Sequence, residues 1–434
     1  MIKCCFRLFA FAAVLTQQAA MPAWAQTDGA LRSHPNLIFG DGGVSSFYFP
    51  TALPSTPGTI IRSEDIAGLT LPSSAGRAIR ILYSSTDGVG DDGLIAVSGQ
   101  ILLPKGTPPK GGWPVIAWEH GTTGIADVCA PSWRGYLKRD QTYLNRWLDE
   151  GFAVVATDYQ GLGTPGPHPY LLYRPEGYSA LDGIQAALKQ YGDLIRNDVV
   201  LVGQSQGSGA ALGAAWLAPK YAQSIHLLGV VATGLVVQFS SQPGSVHPPV
   251  QVSYDDPSDM DAAYAMLRVD GTDQSLHPAT DAETVMTAVG KILSQRARSV
   301  CFGDIVKSAK AAGLSGKDLF TPALQQLESG EKDATTIPNA QISIPIFAGT
   351  GLADYEASLP GQYNAVAAMC DSGTNIVWHV YPGLTHNGAL NGSLTDSIPF
   401  VRNLLKGVVT PSNCGAISVP GPVEAPTPGI PFNN

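Results

Sequence analysis

Ser205 stands in Gly203-Gln204-Ser205-Gln206-Gly207, after the apolar run Val199-Val200-Leu201-Val202 and before the small-residue run Ala210 to Leu217. A serine framed by glycines between a strand and a helix is pushed into the open at a strained corner, where its hydroxyl can attack a carbonyl. The glycines have a steric reason, because a Cβ at Gly203 or Gly207 would meet neighbouring backbone. In a chain with 48 glycines a bare Gly-x-Ser-x-Gly is weak, and a tight turn in a βα unit needs no serine. The setting between a buried strand and a helix is what marks Ser205 as a nucleophile.

A serine hydroxyl reacts slowly near neutral pH unless a base takes its proton and a third group orients that base. After a strand at a nucleophile elbow, these partners are expected in the order acid, then histidine, each just past a later strand. Past Ile344 to Ala348 the first carboxylate is Asp354; past Ile376 to Tyr381 the loop Pro382-Gly383-Leu384-Thr385-His386 carries one histidine, His386. Glu356, two residues beyond Asp354, is the alternative acid. Asp371 follows a helix and is wrongly placed for that role. His379 lies inside its strand and reads as a packed or solvent-facing residue.

Acyl transfer also needs donors aimed at the developing oxyanion. One is expected from the backbone N–H of Gln206, where the helix dipole adds to the effect. The other is expected from Glu119-His120-Gly121-Thr122-Thr123-Gly124, at either Thr122 or Thr123, since glycines let a backbone N–H turn inward. His120 reads as a residue that holds this loop by hydrogen bonding. The chemistry implied is attack of Ser205 on an ester carbonyl, with His386 shuttling the proton and Asp354 orienting it. No cofactor and no metal are expected.

The elements that must position these residues alternate. Arg77 to Ser84 and Leu94 to Leu103 read as a hairpin closed by the Gly88 to Gly93 turn, hence an antiparallel edge. Then come a strand at Pro114 to Trp118, a helix at Gln141 to Asp149, a strand at Phe152 to Ala156 and a helix at Tyr178 to Tyr191. The elbow and a strand at Leu227 to Ala232 follow. Such alternation implies a mostly parallel sheet with helices on both faces. Between about Gln238 and Ile337 the pattern is helical, at Asp259 to Leu267, Ala282 to Arg298, Ile305 to Ala312 and Thr321 to Glu328, with no convincing buried strand. This reads as a cap over the strand ends. A last helix is expected at Ser393 to Leu405. The expected fold is thus an α/β-hydrolase with a large helical cap insertion: core 26–237, cap 238–340, core again 341–410, and a Pro-rich tail 411–434 that is an extended strap or a disordered end. Residues 27 to 75 give little beyond a possible edge segment at Phe47-Tyr48-Phe49.

The first 25 residues read as an export signal. Lys3 and Arg7 form its basic end, Leu8 to Leu15 its apolar middle and Ala23-Trp24-Ala25 its cleavage site. The apolar run is too short to span a bilayer, and no later stretch reaches spanning length. Cys4 and Cys5 would leave with it. Cys129, Cys301, Cys370 and Cys414 then suggest two disulfides, for which three pairings are possible. The formal charge is −9 without a basic cluster, which argues against nucleic acid as a partner. Asn391-Gly392-Ser393 is a glycosylation sequon only in a eukaryotic source.

Several stretches together resemble the secretory lipase family, the lipase-A-like α/β-hydrolases. They are Trp118 to Gly124, Cys129-Ala130-Pro131-Ser132, Asp158-Tyr159-Gln160-Gly161-Leu162-Gly163, the elbow, and Tyr381-Pro382-Gly383 leading to His386. The resemblance spans roughly residues 40 to 410. It implies lipase or esterase activity on a hydrophobic ester, at a lipid–water interface or in solution. It also implies a helical cap and disulfides Cys129–Cys301 and Cys370–Cys414. Gln204 and Gln206 depart from the residues many lipases place beside the serine. Two other readings stand beside it. A serine peptidase of this fold would usually bring a propeller, for which there is no repeat; a silent binding protein would commonly have lost a triad member.

Overall fold

The computed structural model describes residues 43–90, 93–240, 246–247, 249–252, 260–327 and 330–434. The expected signal segment, with Cys4 and Cys5, lies outside them. The strands are β1 Thr59–Asp65, β2 Ala75–Thr86, β3 Leu94–Pro104, β4 Trp113–Glu119, β5 Ala153–Thr157, β6 Ile195–Gln204, β7 Leu227–Thr233, β8 Gln238–Phe239, β9 Thr336–Ile337, β10 Ile346–Gly351 and β11 Ile376–Tyr381. Nine of them form one sheet in the order β1-β2-β3-β5-β4-β6-β7-β10-β11. The β1, β2 and β3 pairings, including β3 on β5, are antiparallel; from β5 to β11 the sheet is parallel. It is an α/β-hydrolase fold.

The apolar runs make this sheet because both of its faces are covered. Val199 and Leu201 of β6 enter one core, with Leu181, Ile184 and Leu212 from the helices Tyr173–Tyr191 and Gln206–Tyr221. Val200 and Val202 enter the other, with Tyr143, Leu144 and Trp147 of the helix Lys138–Asp149 and Phe400 and Val401 of the helix Leu394–Leu405. A strand buried on both sides reads as a continuous hydrophobic run, which is why β4, β5 and β6 were easy to find.

Two expectations change, and two elements add to the sequence reading. β1 carries no strand signal in the sequence, since it is a half-exposed edge strand ending in Ser63-Glu64-Asp65 and so lacks an apolar run. Phe47-Tyr48-Phe49 is not an edge strand: Ser46–Tyr48 is a turn of 3-10 helix that buries Tyr48 against Trp133 and Ser132. The insertion after β7 does contain strand, the two-residue ladder of β8 on β9. The expected last helix is there as Leu394–Leu405, and a further helix, His386–Gly392, precedes it, so His386 opens a helix instead of sitting in a free loop.

The helices Asp261–Leu267, Ala288–Ala297 and Phe302–Ala311 form a cap with its own core around Met266, Leu293 and Ile305. Ile125 and Tyr170, from loops at the parallel strands' ends, share that core and seat the cap over the sheet. The disulfide Cys129–Cys301 ties the same loop region to the cap, and Cys370–Cys414 ties the helix Leu359–Asp371 to the tail. Both pairings are those implied by the family resemblance. Among the described residues no helix is long and apolar enough to cross a membrane.

Candidate active site

The register aligns Glu119 of β4 beside Gly203, and Gln204 of β6 beside Thr233 of β7. Gly351 of β10 lies beside Tyr381 of β11. The loops leaving these ends therefore gather at one edge of the sheet. Ser205 takes φ 57° and ψ −124°, a conformation costly for a residue with a side chain. It is enforced by close packing: a Cβ on Gly203 would lie 1.9 Å from the Gly207 carbonyl oxygen, and one on Gly207 would lie 1.9 Å from that of Glu119. The Ser205 N–H donates to the Thr233 carbonyl at 3.0 Å, and its own carbonyl accepts from the Ser208 hydroxyl at 2.6 Å.

Asp354 and His386 meet. Asp354 is buried on the loop after β10; its Oδ1 accepts from the Glu356 and Ala357 backbone amides at 2.9 and 2.8 Å. Its Oδ2 accepts from Gln362 Nε2 at 2.9 Å and lies 2.8 Å from His386 Nδ1. A carboxylate offers only acceptors, so the imidazole proton sits on Nδ1 and Nε2 carries the lone pair. That Nε2 is buried and has no hydrogen-bond partner among the described residues. The ring stands against Gly234, where a Cβ would lie 2.6 Å from His386 Cε1 and 3.5 Å from Gln204 Nε2. Gly234 follows Thr233, which receives the Ser205 amide, so the imidazole and the elbow share one corner. Ser205 Oγ and His386 Nε2 are not hydrogen-bonded here; such contacts commonly tighten only when substrate binds.

The alternatives fall elsewhere. The Glu356 carboxylate accepts from Tyr264 Oη of the cap at 3.0 Å and from Asn387 Nδ2 at 3.3 Å, not from the imidazole. Asp371 binds His247 Nδ1 at 2.6 Å. His379 is part-exposed, with its ring 5.1 Å from that of Phe347. Asn391 of the sequon donates its amide to the Arg139 carbonyl at 3.2 Å and sits within a helix.

Burial pulls the His386 imidazole down, but the Asp354 and Glu356 carboxylates outweigh it and hold its pKa above the ordinary value. A base must be neutral, so with His386 in the role expected from the sequence, kcat/KM should rise with pH through a point above the ordinary histidine value of about 6.5. Glu356→Gln removes one of the two charges and should move that limb to lower pH, read from a pH–rate profile. The stability owed to protonated His386 runs the other way. It is complete below the unfolded-state pKa and is lost as pH rises through the folded one.

The loop after β4 also closes on Ser205. A Cβ on Gly121 would lie 3.6 Å from Ser205 Cβ. His120 is buried, with Nδ1 2.7 Å from the Gly121 carbonyl, and its own carbonyl accepts from Tyr159 Oη at 2.9 Å. Thr122 Oγ1 and Tyr170 Oη are 2.8 Å apart; the Thr123 carbonyl accepts from Phe302 N–H of the cap at 2.9 Å, leaving its buried Oγ1 unpartnered. Gln206 opens the elbow helix, so its N–H has no partner within that helix.

One cluster escaped the sequence reading. Gln206 Nε2 lies 2.9 Å from His168 Nε2 and donates to Glu176 Oε1 at 2.7 Å. His168 Nδ1 faces the Gln160 carbonyl at 2.9 Å and must donate to it, which leaves Nε2 as the acceptor for Gln206. Burial pushes Glu176 up to about 8, although Gln206 and the Leu171 amide favour its carboxylate. Burial, with Glu176 nearby, also holds Glu119 far above the usual carboxylate range. Burial thus works against a negative charge on either carboxyl. Nothing in a lone glutamate on a helix signals this; only the fold brings Glu119, Glu176 and Gln206 together. Among the described residues no group of three or more His, Cys, Asp and Glu side chains is gathered as a metal would require.

The model of the secretory lipase family matches residues 135–244, a stretch that contains the elbow. The chain is similar to the secretory lipases. Lipase A of Arthroderma benhamiae is 28% identical over 201 residues, 42% of this chain and 41% of that protein. Lipase 6 of Candida albicans is 27% identical over 208 residues, 44% and 43% respectively. The alignments thus span about two fifths of these curated relatives. The likeness in fold is wider: Candida antarctica lipase A in its closed state superposes with a TM-score of 0.68 at 20% identity, covering 90% of this chain and 91% of that one.

Proposed function

We propose that the chain is an exported serine carboxylic-ester hydrolase, a lipase or esterase, acting on acylglycerols or other hydrophobic esters. The observation that carries this reading is the buried Asp354–His386 pair at 2.8 Å, its ring against Gly234, which follows the residue that receives the amide of the strained Ser205. In this reading Nε2 takes the Ser205 proton as Oγ attacks the ester carbonyl carbon. Asp354 holds the imidazole and stabilises it when charged. The tetrahedral oxyanion is held by the Gln206 N–H and by a backbone N–H of Thr122 or Thr123. His386 then protonates the departing alcohol, and water attacks the acyl-enzyme by the same route. The relatives named lipases, the cap over the strand ends and the two disulfides support the substrate class and an exported protein.

A series of p-nitrophenyl esters from acetate to stearate, assayed below and above their solubility limits beside matched anilides, tests this reading. Ester cleavage should far exceed anilide cleavage, and Ser205→Ala should abolish it. Equal anilide cleavage would favour a peptidase, and no turnover of any ester would favour a binding protein.

A further inference from the structure

The loop that delivers His386 is held mainly by the tail. Of its backbone groups, the Gly383 N–H donates to Glu424 Oε2 at 2.7 Å, and the Thr385 N–H donates to Asn433 Oδ1 at 2.7 Å. The Gly383 carbonyl accepts from the Thr427 N–H and from Asn433 Nδ2, both at 2.9 Å. Asn433 Nδ2 also donates to the Thr427 carbonyl at 2.9 Å, so this half-buried amide uses both its donor and its acceptor ends. The hydrolase core itself holds Leu384, whose N–H donates to the Tyr381 carbonyl at 3.3 Å and whose carbonyl accepts from Ala353 at 2.9 Å.

Glu424 reaches the acid loop as well. Its N–H donates to the Leu352 carbonyl at 2.8 Å, and its carbonyl accepts from Tyr355 Oη at 3.0 Å. One tail residue thus joins the loop that bears Asp354 to the loop that bears His386. The core is shaped to receive the tail. A Cβ on Gly383, at φ +64°, would lie 2.0 Å from Thr427 Oγ1, and one on Gly388 would lie 2.1 Å from Asn433 Oδ1. Upstream, the Cys370–Cys414 bond anchors the tail, while Asn413 pairs its amide with Trp378 N–H and C=O along the edge of β11.

We propose that Glu424 and Asn433 are positioning residues for His386, stitching the acid and histidine loops at the separation the triad needs. This rests on the hydrolase reading above. Misplacement of a catalytic group by about 1 Å can cost on the order of 100-fold in rate.

The test compares the full chain with a form truncated after Pro426 and with Asn433→Asp, Gly388→Ala, Glu424→Ala and Glu424→Gln. kcat and KM are measured on a soluble ester well below each Tm, together with the pH–rate profile. Truncation, Asn433→Asp, Gly388→Ala and Glu424→Ala should each lower kcat on the order of 10-fold, with KM little changed and the acidic limb moved to lower pH as the imidazole loosens from Asp354. Glu424→Gln keeps an acceptor for Gly383 and should stay near the parent. If truncation fails to fold, the point variants decide. A fall in Tm with kcat and the limb unchanged would overturn the proposal and leave the tail a structural brace. Ser205→Ala runs alongside: its inactivity keeps the hydrolase reading whatever the tail variants do, and its activity would sink that reading first.

Discussion

Asp354→Asn should cut kcat by about 10⁴-fold, the scale found when the orienting acid of a serine triad becomes an amide. The reason lies in the donors around it. Oδ2 now accepts from both Gln362 Nε2 and His386 Nδ1. An amide nitrogen in that place would face two N–H groups. Turning the amide over would instead set its nitrogen against the Glu356 and Ala357 amides. Gln362 cannot easily turn either, since its Oε1 accepts from the Leu235 N–H and the Thr350 hydroxyl. The imidazole has the simplest escape: moving its proton to Nε2 lets Nδ1 accept from the new amide. That tautomer has no lone pair to offer Ser205. The measurement is kcat on a soluble ester below the variant's Tm, beside the parent. A loss of only a few-fold would mean that Asp354 does not orient the base.

Gly207→Ala should be severely damaging. The added carbon would lie 1.9 Å from the Glu119 oxygen and 2.8 Å from that of His120, both backbone atoms of the loop that closes on Ser205. Neither can move without parting β4 from β6, whose pairing sets Glu119 beside Gly203. Overpacking of a well-packed interior commonly costs about 1–3 kcal/mol and more where backbone must shift. The expected outcome is a large fall in Tm and, in any protein that folds, loss of ester turnover out of proportion to it. Thermal melting and kcat on the same preparation check this. Unchanged values would contradict the tight strand-to-helix corner.

What could be read from the sequence follows from where each residue's environment is local. β6 is buried on both faces, so Val199 to Val202 announce it, and Gly203 reports a clash with the next turn of chain at Gly207, whereas Gly207 answers to the distant Glu119. Asp354 and His386 could be picked because each is the first suitable side chain past a buried strand. The disulfide pairing came from the family resemblance, and spacing alone left three choices. The parts that stayed hidden depend on distant chain. β1 is a half-exposed edge strand whose second half, Arg62 to Asp65, is polar. The Glu176–Gln206–His168 cluster joins a helix, the elbow and a loop that share no local pattern. The tail shows only its prolines, while its grip on the His386 loop is made by Glu424, Thr427 and Asn433, residues ordinary in any turn.

Trapping by a fluorophosphonate, with the modified peptide located by mass spectrometry, addresses the central claim most directly. The account expects one equivalent on Ser205, much slower labelling in His386→Ala and none in Ser205→Ala. Labelling of another serine, or undiminished labelling of Ser205→Ala, would contradict it.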